Sequence, residues 1–404
     1  MRKILLGTTA VVGAALLGNV AQAQTAPTVR VGGYFEFVGG YVDDSADRNA
    51  VTVAASGANP ARTVNRDKID FKTDAEIHVI VAGKAANGLS YGATVELQID
   101  GINPVSGAGT AVDTDEAWGF ISSPTLGTLQ FGDQDSAASQ MAVSLPGAVA
   151  QLGMSAQWDE FVALAADGNR YLVADINDGN DSSKIIYMSP QFFGFDFGIS
   201  FAPNRREGEE FRNAAGTALH RDPTDSLRNE LSGALRYRGS FGNIGVTAGL
   251  AAHRADAAAN NANLQDVSEY QAGLQVTGFG LTVGGMYRWG KYGGVTATAL
   301  AAGRANSTTY GLGATYVTGA IAVGAFYAKA ERDNGGALAD RTQTVWGLGA
   351  SYTLAPGMDL FANYSNVSDK NIAASAMALA PAGNGPGQRN RDIDVFVIGT
   401  RLTF

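Results

Sequence analysis

The sequence predicts an all-β protein, a transmembrane antiparallel β-barrel of sixteen strands. Three observations predict it: a leader-like N-terminus, repeated apolar/polar alternation, and connections that alternate between tight turns and long polar segments. No run of about 18 apolar residues follows the leader, so helical membrane spans are not expected. The hydrophobic content of 45 % agrees with a barrel, because only alternate strand residues must face lipid.

The first 23 residues have the pattern of a cleaved signal peptide. Arg2 and Lys3 form a positively charged start, 4–17 is an apolar run, and 21–23 is an A-x-A cleavage motif. The alternative, an N-terminal membrane anchor, requires a longer apolar run. We therefore predict a signal peptide over 1–23 and a β-barrel over 24–404.

Composition argues against several classes of site and partner. The chain has no cysteine and three histidines, so we expect neither disulfides nor a cysteine–histidine zinc site. Removal of Arg2 and Lys3 leaves 27 basic residues against 38 acidic ones, a net charge of −11. A strongly acidic exported chain is a poor candidate for nucleic-acid binding, and we predict no such partner.

Strands with two different faces recur along the chain. In 69–81, apolar residues alternate with polar ones such as Asp70 and Lys72, and 90–100 and 269–276 repeat the pattern. An even number of strands returns both ends to one side of the membrane, so the first and last strands can pair and close the sheet. The sixteen predicted strands are 29–42, 66–84, 88–100, 113–123, 126–134, 183–190, 192–203, 226–240, 242–255, 265–278, 279–291, 305–318, 319–331, 340–354, 357–370 and 390–404.

The connections alternate in length. Tight Gly- or Pro-containing turns, such as 86–88 and 239–242, are followed by long polar segments, such as 43–65 and 204–225. Short periplasmic turns and long external loops are typical of barrels in the Gram-negative outer membrane, where we place the chain. Aromatic residues near the strand ends predict two interfacial girdles. The alternative, a soluble β-sandwich, is disfavoured by sixteen long strands.

Several segments resemble the general diffusion porins. The opening strand VRVGGYF (29–35), the segment GTLQFG (127–132) and the strand pair around KIIYMSP (184–190) are similar to the corresponding porin strands. One departure is Ile186, where porins often carry a polar residue. The chain ends in GTRLTF, and Phe404 with Leu402 before it is similar to the signal that barrel assembly machinery recognises.

The resemblance implies a homotrimer in which each barrel has its own pore and a third external loop folds into the lumen. It implies a water-filled channel for passive diffusion of small hydrophilic solutes and ions. The implied partners are outer-membrane lipid, lipopolysaccharide, inorganic cations and the barrel assembly machinery. No enzymatic activity is expected from such a channel.

The segment 133–183 is the longest interruption of the strand pattern and is the candidate for that loop. Its net charge is near −7, which predicts cation selectivity, and 155–166 is predicted to be a short helix with Ser155 as its N-cap. No cofactor is predicted, although calcium among the loop carboxylates stays open. The predicted constriction acids are Asp133, Asp135, Asp159, Glu160, Asp167 and Asp175.

Basic residues on the predicted lumen face would stand opposite these acids. Opposed acids and bases set a transverse field across a narrow neck, which makes the passage of bulky apolar solutes costly. By alternation, the basic wall residues are Arg30, Lys72, Arg236, Arg238, Arg288 and Arg401.

Two other functions remain alternatives. A sugar-selective channel would show inward aromatic residues, whereas predicted inward positions such as Gln275, Thr282 and Asn363 are small or polar. An anion channel would favour a basic loop, and this loop is acidic. A barrel hydrolase would need a histidine beside a nucleophile, but the strand neighbours of His78 are Glu76 and Ile80.

Overall fold

A computed structural model shows a closed barrel of sixteen antiparallel strands, which confirms the predicted fold class. The predicted signal peptide lies outside the described residues, so it stays a prediction. Among the described residues, no helix is long and apolar enough to cross a membrane. The structure describes residues 25–45, 51–53, 62–64, 67–99, 112–154, 157–162, 176, 181–204, 227–257, 266–292, 306–333, 339–373 and 388–404.

The barrel strands lie close to their predicted bounds. A separate short hairpin pairs Val51–Val53 with Arg62–Val64 in the connection after the first strand. We number the barrel strands β1 (Thr25–Asp44), β2 (Ile69–Lys84), β3 (Ser90–Gln98), β4 (Asp113–Ser123), β5 (Gly127–Asp133), β6 (Ser183–Met188), β7 (Phe195–Asn204), β8 (Leu227–Phe241), β9 (Ile244–Ala257), β10 (Val267–Gly278), β11 (Leu281–Lys291), β12 (Asn306–Thr318), β13 (Ile321–Arg332), β14 (Arg341–Ala355), β15 (Met358–Ala373) and β16 (Gln388–Thr403).

The barrel closes between its first and last strands. β1 pairs with β16 over Tyr34↔Thr403 to Asp44↔Ile393, and its other edge pairs with β2. Phe404 extends this seam, because its N–H and carbonyl each exchange a 3.1 Å hydrogen bond with Gly33. Closure pairs both edges of every barrel strand that the structure describes, and an unpaired strand edge in lipid would leave backbone groups without hydrogen-bond partners.

The two faces of the wall differ as the alternation predicted. Apolar side chains on the outer face are solvent-accessible in the isolated chain, such as Leu312 at 65 % and Ile398 at 58 %. Ile186 is instead buried on the inner side, between outward-facing neighbours. Outer aromatic residues pair near the strand ends, with ring centroids 5.7 Å apart for Tyr270 and Trp289. An apolar outer face with aromatic ends is the surface that a lipid bilayer solvates.

Candidate pore constriction

The connection after β5 turns into the barrel and begins with helix α1 (Ala137–Met141). Its N-cap is Ser136, whose side chain accepts a 3.2 Å hydrogen bond from the Ser139 N–H. The wall satisfies two further amides of the first turn: Ala137 N donates to Ser200 Oγ at 3.0 Å and Ala138 N to Ser232 Oγ at 3.2 Å. The first four N–H groups of a helix need such acceptors, so β7 and β8 anchor the start of the loop.

Beyond α1 the loop follows the inner wall from strand to strand. Gln271 on β10 donates to the Val143 carbonyl at 3.2 Å, and Asn363 on β15 donates to the Gln151 carbonyl at 2.9 Å. The Gln151 amide in turn donates to Glu36 on β1 at 2.7 Å. The loop therefore lines the lumen as a belt, which confirms that it folds inward.

Glycines on the inner wall make room for this belt. Gly249 and Gly273 pair directly across β9 and β10 and form a notch that receives Val143. A Cβ on Gly249 would lie 2.8 Å from Val143 Cγ2, and one on Gly273 would overlap the Val143 carbonyl. Close backbone approach of this kind is a reason for glycine inside a strand. Other wall glycines beneath the belt are Gly40, Gly198, Gly311, Gly313 and Gly324.

An apolar core between loop and wall holds the far part of the belt. Met154, Trp158 and Val162 of the loop are buried in one cluster with wall residues that include Val345 and Val395. Trp158 lies in helix α2 (Gln157–Glu160), one turn within the predicted helix 155–166, whose other positions are outside the described residues except Phe161 and Val162. The core of this protein therefore lies inside the barrel.

The structure places the predicted acids in different environments. Asp133 accepts a hydrogen bond from Ser183 and shares its strand face with the outward-facing Phe131, so it belongs to the outer side of the wall. Asp135 lies inside, where its N–H points to Glu116 Oε1 at 3.4 Å. Asp159 is buried in α2, and Glu160 beside it is exposed. Asp167 and Asp175 lie outside the described residues.

The predicted basic wall residues are mostly paired with carboxylates. Lys72 hydrogen-bonds to Glu160 O and lies 3.9 Å from its carboxylate. The remaining partners are wall acids outside the predicted set of constriction residues. Arg236 and Arg238 share Asp196 at 2.8 and 2.6 Å, Arg288 lies 3.4 Å from Glu269, Arg401 lies 3.4 Å from Glu36, and Arg30 is exposed near the start of β1.

Replacement of Asp196 by asparagine is expected to lower any preference for cations. Asp196 is buried beneath Arg236 and Arg238, so its loss leaves two positive charges at the lumen face without their counter-ion. Each unit charge changes the energy of an ion about 8 Å away by about 0.5 kcal/mol in water. The measurement is the reversal potential in a salt gradient, and an unchanged value in a folded variant contradicts the expectation.

Three inward carboxylates have a different environment. Glu76 on β2, Glu96 on β3 and Glu116 on β4 form what we call the acidic strip. Within the described part of the chain, no lysine or arginine lies at salt-bridge distance from any of them. Alternation had assigned Glu76 and Glu96 to a polar face, but only the sheet register places them next to one another.

Glu116 also belongs to a second group of carboxylates at the base of the loop. Oxygen atoms of Glu116, Asp135 and Asp181 all lie within 4.8 Å of one another, where the loop leaves β5 and returns to β6. Oxygen-only groups of this kind suit Ca²⁺. The open expectation of calcium among the loop carboxylates therefore stays a prediction, now attached to this position.

A closed wall with an apolar outer face, a charged interior and a loop folded inside defines a pore-forming membrane barrel. The chain belongs to the Gram-negative porin family, whose model matches residues 7–372. Membership of this family, together with the closed barrel, supports an outer-membrane channel protein. No curated protein matches the chain in sequence.

Solved porin structures share the fold. The anion-selective porin from Comamonas acidovorans is 17 % identical with a TM-score of 0.60, over 94 % of this chain and 100 % of that one. OmpT of Vibrio cholerae, in vitro folded and in trimer form, is 13 % identical with a TM-score of 0.54, over 94 % and 100 %. A mutant of the Rh. blastica porin is 18 % identical with a TM-score of 0.51, over 93 % and 100 %.

Proposed function

We propose that this porin passes small hydrophilic solutes by passive diffusion and prefers inorganic cations. The observation that carries the proposal is the acidic strip, three inward carboxylates with no lysine or arginine of the described residues at salt-bridge distance. Carboxylates that line a water-filled pore attract cations and repel anions. A narrow passage between the loop and the wall would concentrate this field.

The wall bases do not cancel the strip. Glu160 compensates Lys72, Glu269 compensates Arg288, and the buried Glu36 compensates Arg401. Arg236 and Arg238 retain one net charge between them, because they share Asp196, and the exposed Arg30 adds a second, which together are fewer than the three carboxylates of the strip. The balance supports a negative lumen, with the strip on β2 to β4 as its main source.

Side chains, and not the fold, are expected to set the ion selectivity of this channel, because the same barrel occurs in a channel of the opposite preference. The porin from Comamonas acidovorans is described as anion-selective, yet it has the same barrel at 17 % identity. At that identity the wall residues are free to differ in charge. The acidic strip therefore supports a preference opposite to that relative's.

The apolar outer face of the barrel is where we place its contacts with other subunits, with lipid and with the assembly machinery. We propose a homotrimer, as OmpT of Vibrio cholerae has a trimer form, with lipid and lipopolysaccharide covering the remaining outer face. Phe404 and Leu402 point outward at 63 % and 39 % exposure, which suits recognition by the barrel assembly machinery. No enzymatic role and no nucleic-acid partner are proposed.

The test is single-channel recording in a planar bilayer, with the reversal potential measured across a potassium chloride gradient. We expect stepwise conductance and a reversal potential that favours potassium. A potential that favours chloride would overturn the cation preference. A correctly folded protein that never conducts would overturn the channel itself.

A further inference from the structure

A histidine lies between two carboxylates on the inner face of β2 and β3. His78 and Glu96 are direct cross-strand partners, and Glu76 precedes His78 by two positions, so all three side chains share one face. His78 Nε2 lies 2.9 Å from Glu76 Oε2 and 3.6 Å from Glu96 Oε2. One ligand atom from each residue lies within 4.8 Å of the other two.

These separations suit a shared metal ion. Zn²⁺ binds histidine nitrogen and carboxylate oxygen at about 2.0–2.2 Å, so ligand atoms around a tetrahedral ion lie about 3.4 Å apart. The observed 2.9 and 3.6 Å lie on either side of that value. An imidazole with two carboxylates favours a borderline ion such as Zn²⁺ over Ca²⁺, which prefers oxygen ligands.

The surroundings orient the cluster and leave it short of positive charge. The hydroxyl of Tyr34 on β1 lies 3.0 Å from both Glu76 Oε1 and Asp74 Oδ2 and can donate to either, while Glu76 Oε2 is directed at His78. Hydrogen bonds to a ligating carboxylate are typical of metal sites. In the described part of the chain, no lysine or arginine is at salt-bridge distance from Glu76 or Glu96.

The cluster is also reachable from the lumen. The side chains retain 25 % exposure for His78, 13 % for Glu76 and 17 % for Glu96. Partial exposure allows an ion to enter from the pore and leaves room for water as a further ligand. A fully buried cluster would require local opening of the wall before an ion could bind.

We propose that Glu76, His78 and Glu96 form a binding site for a divalent transition-metal ion, represented by Zn²⁺, on the inner wall of the pore. The ion supplies the positive charge that the two carboxylates lack. Because it would sit on the acidic strip, its binding would lower the passage of monovalent cations. Metal binding itself does not depend on the proposed selectivity.

The test is titration of the full-length, untagged, detergent-solubilised protein with Zn²⁺ by isothermal titration calorimetry. We expect saturable binding of one Zn²⁺ per chain. Binding should be at least about tenfold weaker in His78→Ala and in Glu96→Gln, because loss of a ligand lowers metal affinity at least as much as loss of a group that hydrogen-bonds to a ligand. Tyr34→Phe removes the hydroxyl shared by Glu76 and Asp74 but no ligand atom, and is expected to weaken binding less than either.

The matched control is His220→Ala, which removes another of the three histidines and should bind Zn²⁺ as the unaltered protein does. Heat-modifiable migration in gels verifies that each variant is folded. Absence of Zn²⁺ binding, equal binding in His78→Ala, or Ca²⁺ competing on equal terms would each overturn the site. A bilayer recording adds a separate readout, because micromolar Zn²⁺ should reduce potassium current only where His78 is present.

Discussion

Replacement of Gly273 by valine is expected to push the third loop off the inner wall and to enlarge the pore. The notch of Gly249 and Gly273 receives Val143, and any Cβ at position 273 would occupy the space of the Val143 carbonyl. That carbonyl also accepts the hydrogen bond from Gln271, so the anchor is lost together with the space. Overpacking of this kind costs about 1–3 kcal/mol, which the strand ladder can absorb while the loop moves.

The variant should therefore show a higher single-channel conductance and faster uptake of larger sugars in liposome swelling. The matched control is Gly147→Val, because position 147 is in the same loop and a Cβ there meets nothing within 4 Å. This control should conduct like the unaltered protein. If Gly273→Val conducts like Gly147→Val while remaining folded, the glycine notch does not position the loop.

Removal of the acidic strip is expected to abolish most of the cation preference. The triple variant Glu76→Gln, Glu96→Gln and Glu116→Gln keeps the side-chain shapes and removes three negative charges. Each charge about 8 Å from the ion path is worth about 0.5 kcal/mol in water. Together they amount to at most about 1.5 kcal/mol for a cation, or at most roughly tenfold in the cation concentration beside the strip at low salt, and they act on an anion with the opposite sign.

The measurement is the reversal potential at low and at high salt. The difference from the unaltered protein should shrink at 1 M salt, where the screening length is about 3 Å. Asp394→Asn is the matched control, because Asp394 lies on the outer face, where it accepts from Tyr364 and Asn366. A cation preference that survives in the triple variant would place the selectivity elsewhere.

The wall could be read from the sequence because each strand carries its own pattern. In β2, Ile69 and Phe71 face outward while Lys72 and His78 face inward, as a period of two requires. Tight turns and an even strand count then brought β1 and β16 together, and their predicted pairing is confirmed. Helix α1 was missed, although Ser136 ahead of a small-residue turn was an available N-cap signal.

The ion-pair partners of the charged wall residues could not be predicted from the sequence in the same way. Alternation assigns a face, but which residue of the next strand lies opposite depends on register, and the loop has no period at all. Asp196 and Glu269 therefore went unrecognised as partners of the wall arginines. Asp133 was expected in the neck, yet the register sets it on the outer face.

By itself, then, the sequence determined a closed sixteen-stranded barrel with an apolar outside, because those properties are local and repeat with every strand. Tertiary structure alone decided the course of the loop, because glycine notches and hydrogen-bonding side chains from β7 to β1 receive it. It also decided that most wall bases are paired with carboxylates, while no lysine or arginine of the described residues lies at salt-bridge distance from the acidic strip. Those contacts join residues far apart in the chain, so only the folded register brings them within reach.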